Sequence, residues 1–291
     1  MIFKGSCVAL ATPLTQSGVN FDAFEKLVDF QLESKTDALL VCGTTGEPST
    51  MSATEKKDAI EFVIGKAAGR VPVIAGIGGN NTANCIKWAK IASTLGADAV
   101  LAVTPYYNKC TEAGLIAHFT AIADASEVPV IMYSVQSRTA VNISPGAAAK
   151  LAEHQNIVGI KEASGNISQI AEIARLTHGK MDLYSGNDDQ IQPIMSLGGQ
   201  GVISVLANIM PKYTHDMVME YLEGDPAIAC SMQLRVLPLV SALFCEVNPI
   251  PVKTALSLMG FAMGELRLPL CEIAPSNLAA LKEQLSAFSL I

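Results

Sequence analysis

Lys161 closes the run Ile157-Val158-Gly159-Ile160-Lys161, directly after four apolar or glycine residues. Desolvation among such neighbours disfavours an ammonium ion. A free lysine amine, with a pKa near 10.4, is neutral in only about one molecule in 2,500 at pH 7, so a nucleophilic lysine has to be sheltered from water. The plainer alternative is a strand-end lysine whose head reaches solvent. Gly43-Thr44-Thr45-Gly46-Glu47 is a turn of small residues whose backbone N–H groups and two hydroxyls can surround a carboxylate. Taken alone, it is equally an ordinary tight turn with capping threonines. Tyr133 and Arg138 lie five residues apart, a phenol able to relay protons and a guanidinium able to grip a carboxylate through two parallel hydrogen bonds. Together the three clusters point to an enzyme that forms an imine with an α-keto acid, in which lysine attacks the ketone, the threonine turn holds the carboxylate and tyrosine moves protons.

Competing chemistries are poorly represented. His118, His154, His178 and His215 are far apart, fall in predicted helices and lack ligand spacing, so no metal site is expected. There is no GxSxG elbow and no P-loop, and in Gly76-Ile77-Gly78-Gly79 the last glycine of a dinucleotide fingerprint is replaced by Asn81. The acidic pair Asp188-Asp189 reads as a solvated loop or a helix cap.

The elements that must position these groups are legible as a repeat. Apolar runs at residues 7–11, 38–42, 71–77, 99–104, 128–133, 157–161, 182–185 and 201–206 are separated by about one crossover helix each. They are rich in Val and Ile and do not alternate with polar residues, as parallel strands covered on both faces require. Ser52-Ala53-Thr54-Glu55 is a capping box, and Ser144-Pro145 offers an N-cap followed by proline at the first helical position. Eight such units predict a (β/α)8 TIM barrel over residues 1–224, with reactive groups at the carboxyl ends of its strands. Residues 225–291 show helical periodicity at 228–244, 252–263 and 276–288 without strands, a helical appendage expected to pack on the barrel.

The 291 residues are half hydrophobic and only 16% charged, which excludes intrinsic disorder. The net charge of −7 disfavours nucleic acid and anionic membrane surfaces as partners. Seven cysteines without a CxxC pair, and an N-terminus without an export signal, predict a reduced, cytoplasmic protein. Residues 190–211 are uncharged but interrupted by Gly198-Gly199-Gln200-Gly201, and so read as a buried segment of a soluble fold.

Several motifs, in order and over nearly the whole length, resemble the dihydrodipicolinate synthase family of pyruvate-dependent Schiff-base aldolases, the superfamily that also contains N-acetylneuraminate lyase. They are Ala11-Thr12-Pro13, the 43–47 turn, Thr104-Pro105-Tyr106-Tyr107-Asn108, Tyr133, Arg138, Gly159-Ile160-Lys161-Glu162, Ser185-Gly186-Asn187-Asp188 and Asn248-Pro249-Ile250-Pro251-Val252-Lys253. The resemblance implies that Lys161 forms an imine with pyruvate and that the enamine attacks L-aspartate-4-semialdehyde, towards lysine and diaminopimelate. It further implies a proton relay of Tyr133, Thr44 and Tyr107, the last crossing from a neighbouring subunit of a homo-oligomer, expected to be a tetramer. Arg138 matches the group that holds the semialdehyde's carboxylate and Thr45 the one that holds pyruvate's, while Gly186 and Ile203 line the imine; no metal or diffusible cofactor is implied.

Ser134 and Gln136 depart from the family pattern Tyr-Asn-x-Pro-x-Arg, which bears on the second substrate. Two other readings stay open: a sibling aldolase acting on a sugar acid or another 2-keto acid, and an idle barrel that senses a keto acid. Lysine-inhibited members carry two histidines and a glutamate where this chain has Ala53, Lys56 and Asn84, although Asn80 and Tyr106 are kept. A cationic Lys56 repels an effector's ammonium and no carboxylate at 84 receives it, so activity titrated with millimolar lysine is expected to fall little or not at all.

Overall fold

In the computed structural model, which describes all 291 residues, eight parallel strands close into a barrel. They are β1 (Gly5–Ala9), β2 (Ala38–Val41), β3 (Val73–Gly76), β4 (Ala99–Val103), β5 (Val130–Ser134), β6 (Ile157–Glu162), β7 (Asp182–Ser185) and β8 (Gly201–Ser204). Each pairs with its successor, and β8 returns to β1 with Gly5 opposite Gly201. Helices follow the strands, from Phe21–Glu33 after β1 to Pro211–Glu223 after β8. This is the TIM barrel the repeat predicts.

The apolar runs lack polar alternation because each strand separates two apolar cores. Cys7 and Ala9, Ala38 and Leu40, Ile74, Ala99 and Leu101, Ile131 and Tyr133, and Ile203 fill the barrel interior. Their neighbours Val8, Leu39, Val41, Val73, Ala75, Val100, Ala102, Val130 and Met132 face the helices in a larger cluster. At the amino-terminal end Phe3 stacks on Tyr184, with ring centroids 4.4 Å apart, and the Tyr184 hydroxyl donates to the Phe3 carbonyl at 2.9 Å.

Three further helices, Pro226–Leu243, Ile250–Leu258 and Pro275–Ala287, make up the C-terminal segment. Pro226–Leu243 is the one helix long and apolar enough to cross a membrane. Its Val236, Leu239, Val240 and Leu243 are instead buried in the same cluster as the outward faces of the strands, together with Val252, Leu256, Leu281 and Leu285. Residues 190–211 fold into separate short elements, including Ile191–Met195 and β8, rather than one span.

The capping box forms as the sequence requires: Ser52 Oγ accepts from the Glu55 N–H at 3.2 Å and Glu55 Oε2 accepts from the Ser52 N–H at 2.7 Å. Glu55 also receives both terminal nitrogens of Arg267, joining the helix after β2 to the C-terminal segment. The guanidinium holds the Glu55 carboxyl down at about 2. A carboxyl depressed in the folded state adds stability above its unfolded pKa of about 4.3 and gives it up as pH falls towards 2. Glu55→Gln is therefore expected to lose roughly 1–3 kcal/mol at pH 7 and to show a flatter stability profile below pH 4.5, measured by urea unfolding across pH.

Candidate active site

The pleat of β6 decides where Lys161 points. Ile160 faces the helices, Lys161 turns into the barrel in register with Tyr133 on β5 and Tyr184 on β7, and Glu162 turns out again. Lys161 is 5% exposed, and its amine sits 4.2 Å from the centroid of the Tyr133 ring. Around it lies a cavity of about 180 Å³ lined by Thr44, Thr45, Tyr133, Arg138, Lys161, Gly186 and Asn248 among others. A cleft of about 310 Å³ shares Thr44, Tyr133, Arg138 and Asn248 and leads outward.

Each lining group is positioned by local structure. Gly186 is required by space: a Cβ there would stand 3.1 Å from Lys161 Cε and 2.8 Å from Ala163 Cβ. Thr44–Gly46 is one turn of 3-10 helix at the end of β2, closed by Glu47 in the left-handed region at φ 57°. Gly76 makes room beneath it, since a Cβ would fall 2.0 Å from the Cys42 carbonyl oxygen. Arg138 lies on the short helix Gln136–Thr139 after β5, and its Nη2 donates to the Asn248 carbonyl at 3.0 Å. Ser134, where the family pattern has asparagine, is fully buried; its hydroxyl donates to Asn142 Oδ1 and accepts from the Ile143 N–H, which fastens the loop from its strand end.

Two residues named from the sequence lie apart from this cavity. Tyr107 is 91% exposed, holds a backbone φ of 70° that is costly for a non-glycine residue, and does not line the cavity of its own chain. Ile203 is wholly buried in the barrel interior with Tyr133 and Tyr184 and does not line the cavity.

Asp188 corrects the sequence reading. It is 2% exposed, not solvated, and accepts from the Ser204 hydroxyl at 2.6 Å and from the Val205 and Leu206 N–H groups at 3.0 and 2.9 Å. Burial raises its pKa, while these three donors and the Lys161 charge oppose the rise. The bonds tie the end of β7, which carries Gly186, to the end of β8. Of the histidines, His118 is buried against Thr82, whose hydroxyl lies 2.9 Å from Nδ1, and the others sit at the surface or half-buried. No three His, Cys, Asp or Glu side chains gather in the manner of a metal site. Cys42 is buried beneath the threonine turn with its thiol pushed up to about 12 by burial, an inert thiol. Lys56 is buried too, its amine 4.3 Å from the Trp88 ring, and burial lowers its pKa.

The family model for the dihydrodipicolinate synthetase family matches residues 2–288. The chain belongs to that family. A 4-hydroxy-tetrahydrodipicolinate synthase from Thermoanaerobacter sp. (strain X514) is 53% identical over 291 residues, covering 100% of this chain and 98% of that relative. Among solved structures, a dihydrodipicolinate synthase from Thermotoga maritima superposes with a TM-score of 0.98 at 39% identity over all of both chains. A chloride-inhibited dihydrodipicolinate synthase from Acinetobacter baumannii, solved in complex with pyruvate, gives a TM-score of 0.96 at 42% identity, again over all of both chains. As a synthetase-family barrel, the chain places Thr44, Tyr133, Lys161 and Gly186 at the carboxyl ends of β2, β5, β6 and β7.

Proposed function

We propose that this chain is a 4-hydroxy-tetrahydrodipicolinate synthase, a lyase-type Schiff-base enzyme that condenses pyruvate with L-aspartate-4-semialdehyde. The observation that carries the reading is Lys161, 5% exposed, absent from every ion pair of the protein and lining a cavity together with Thr45, Tyr133 and Arg138. In this reading Lys161 Nζ attacks the keto carbon of pyruvate and water leaves, giving an imine. The protonated imine draws electrons from the neighbouring methyl group, whose proton departs, and the enamine carbon attacks the aldehyde. Tyr133 and Thr44 carry protons, joined by Tyr107 from a neighbouring copy, which accords with its exposure outside its own cavity. Thr45 holds the pyruvate carboxylate, Arg138 holds that of the semialdehyde, Gly186 shapes the space around the imine, and Ile203 acts only by packing with Tyr133 in the barrel interior. No metal or diffusible cofactor takes part. The working form is a cytoplasmic homotetramer in which residues 1–224 supply the barrel and residues 225–291 the appendage over it.

The test pairs two assays. Borohydride with pyruvate is expected to add the mass of the reduced pyruvyl group to Lys161, and product is expected from pyruvate with aspartate semialdehyde. Turnover of sugar acids in place of the semialdehyde would assign a sibling aldolase, and a protein that binds pyruvate without trapping would be a sensor.

A further inference from the structure

Of the C-terminal segment, Phe244 and Asn248 line the cavity, and Asn248 is the polar one. Asn248, between the helices Pro226–Leu243 and Ile250–Leu258, is 5% exposed and lines both the Lys161 cavity and the cleft leading to it. It touches both carboxylate-binding groups. Its Nδ2 donates to Thr45 Oγ1 at 3.0 Å, and its backbone carbonyl accepts from Arg138 Nη2 at 3.0 Å. Its Oδ1 is buried without a partner. A hydroxyl that accepts from an amide N–H keeps its own proton for another acceptor. Thr45 makes no other hydrogen bond, so the proton left over is available to an incoming carboxylate.

We propose that Asn248 is a positioning residue that sets the direction of the Thr45 hydroxyl proton, through its side-chain amide, and so fixes the pyruvate carboxylate while its backbone holds Arg138. This rests on the keto-acid reading above. A carboxylate held alike in the substrate and in the transition state contributes to KM and leaves kcat nearly untouched.

The side chain and the backbone of Asn248 therefore separate by substitution. Asn248→Ala removes the donor to Thr45 and keeps the carbonyl on Arg138. It is expected to raise the KM for pyruvate by about 3- to 10-fold, the worth of one neutral hydrogen bond, with kcat within about 2-fold and a smaller change in the KM for the aldehyde. Asn248→Asp has the same shape but only acceptors. It takes the Thr45 proton and sets a negative charge against the substrate, so the pyruvate KM is expected to rise at least about 10-fold. In a Thr45→Val background, Asn248→Ala is expected to add less than about 2-fold.

Borohydride trapping at graded pyruvate concentrations reads the same quantity directly on Lys161. An unchanged pyruvate KM in both variants, a loss confined to kcat, or an equal penalty with and without the Thr45 hydroxyl would overturn the proposal. If Asn248→Ala does not fold, the isosteric Asn248→Asp decides alone. A wild-type protein that traps pyruvate while the variants bind it normally sinks this inference and spares the keto-acid reading. A wild-type protein that never traps sinks both.

Discussion

Lys161→Met removes all trapping of pyruvate and lowers kcat/KM by at least about 10³-fold, while the protein stays as stable as before to within about 1 kcal/mol. The first half follows from covalent chemistry: without the amine there is no imine, and no other group in the cavity can both add to a ketone and act afterwards as an electron sink. The second half follows from burial. Lys161 is 5% exposed and takes part in no ion pair, and its amine lies 4.2 Å from the centroid of the Tyr133 ring. A cation over an aromatic face contributes about 0.5–2 kcal/mol, and the unpaired buried amine opposes that with its desolvation. Methionine fills a similar volume without a charge to desolvate. Mass spectrometry after borohydride reduction checks the chemistry and urea unfolding the stability. Full activity in the variant would end the Schiff-base reading, and a loss of several kcal/mol would mean that the amine serves the fold.

How much of this was legible beforehand depended on whether a signal was local. Most of the eight strands were legible as continuous aliphatic runs, and the structure explains that continuity by a core on either side of the strands; Asp182-Leu183-Tyr184-Ser185, with neither Val nor Ile, was legible chiefly from its place in the repeat. The inward direction of Lys161 follows from the same pleat once the strand is known, so the reactive end of β6 could be read from five residues. Boundaries slipped where backbone geometry rather than composition ends an element. Cys42 reads as part of the second strand but takes a φ of 56°, beginning the threonine turn, and the helical stretch read at 252–263 stops at Leu258.

What escaped the reading is tertiary. Asp188 looked like a solvated acid because its neighbours in sequence are Asn187 and Asp189, whereas its hydrogen-bond donors come from β8 and the turn after it. Asn248 lies 203 residues from Thr45, and no spacing rule joins them. The one hint was the pattern Asn248-Pro249-Ile250-Pro251, two prolines breaking a helical stretch of the appendage, which marks a fixed bend without saying what the bend approaches. Residues at strand ends advertise chemistry through the fold, and residues on an appendage do so only once packed.

The same appendage supplies the largest expected effect on stability. Lys253, in the helix Ile250–Leu258, donates to Glu47 Oε1 at 2.7 Å and to the Glu265 carbonyl at 3.0 Å, with the two side chains 3% and 1% exposed. Glu47 Oε2 accepts in addition from the Arg267 N–H at 3.3 Å. Burial lowers the Lys253 pKa from its ordinary value, against the pull of the Glu47 charge. Glu47→Ala leaves that ammonium buried without its counter-charge and is expected to cost about 3–5 kcal/mol in urea unfolding at pH 7. The sign with pH is fixed by which state holds the proton. A lysine whose folded pKa is depressed releases its proton on folding, so the deficit shrinks as pH rises from the folded value towards about 10.4. Replacing the pair together, Glu47→Gln with Lys253→Met, leaves no isolated charge and is expected to recover most of the loss. A single variant as costly as the double would show that the pair acts through packing rather than charge. Glu47 also closes the turn Thr44–Gly46, so Glu47→Ala should weaken pyruvate binding in the molecules that remain folded, whereas the neutral pair keeps a side chain of the same shape under that turn.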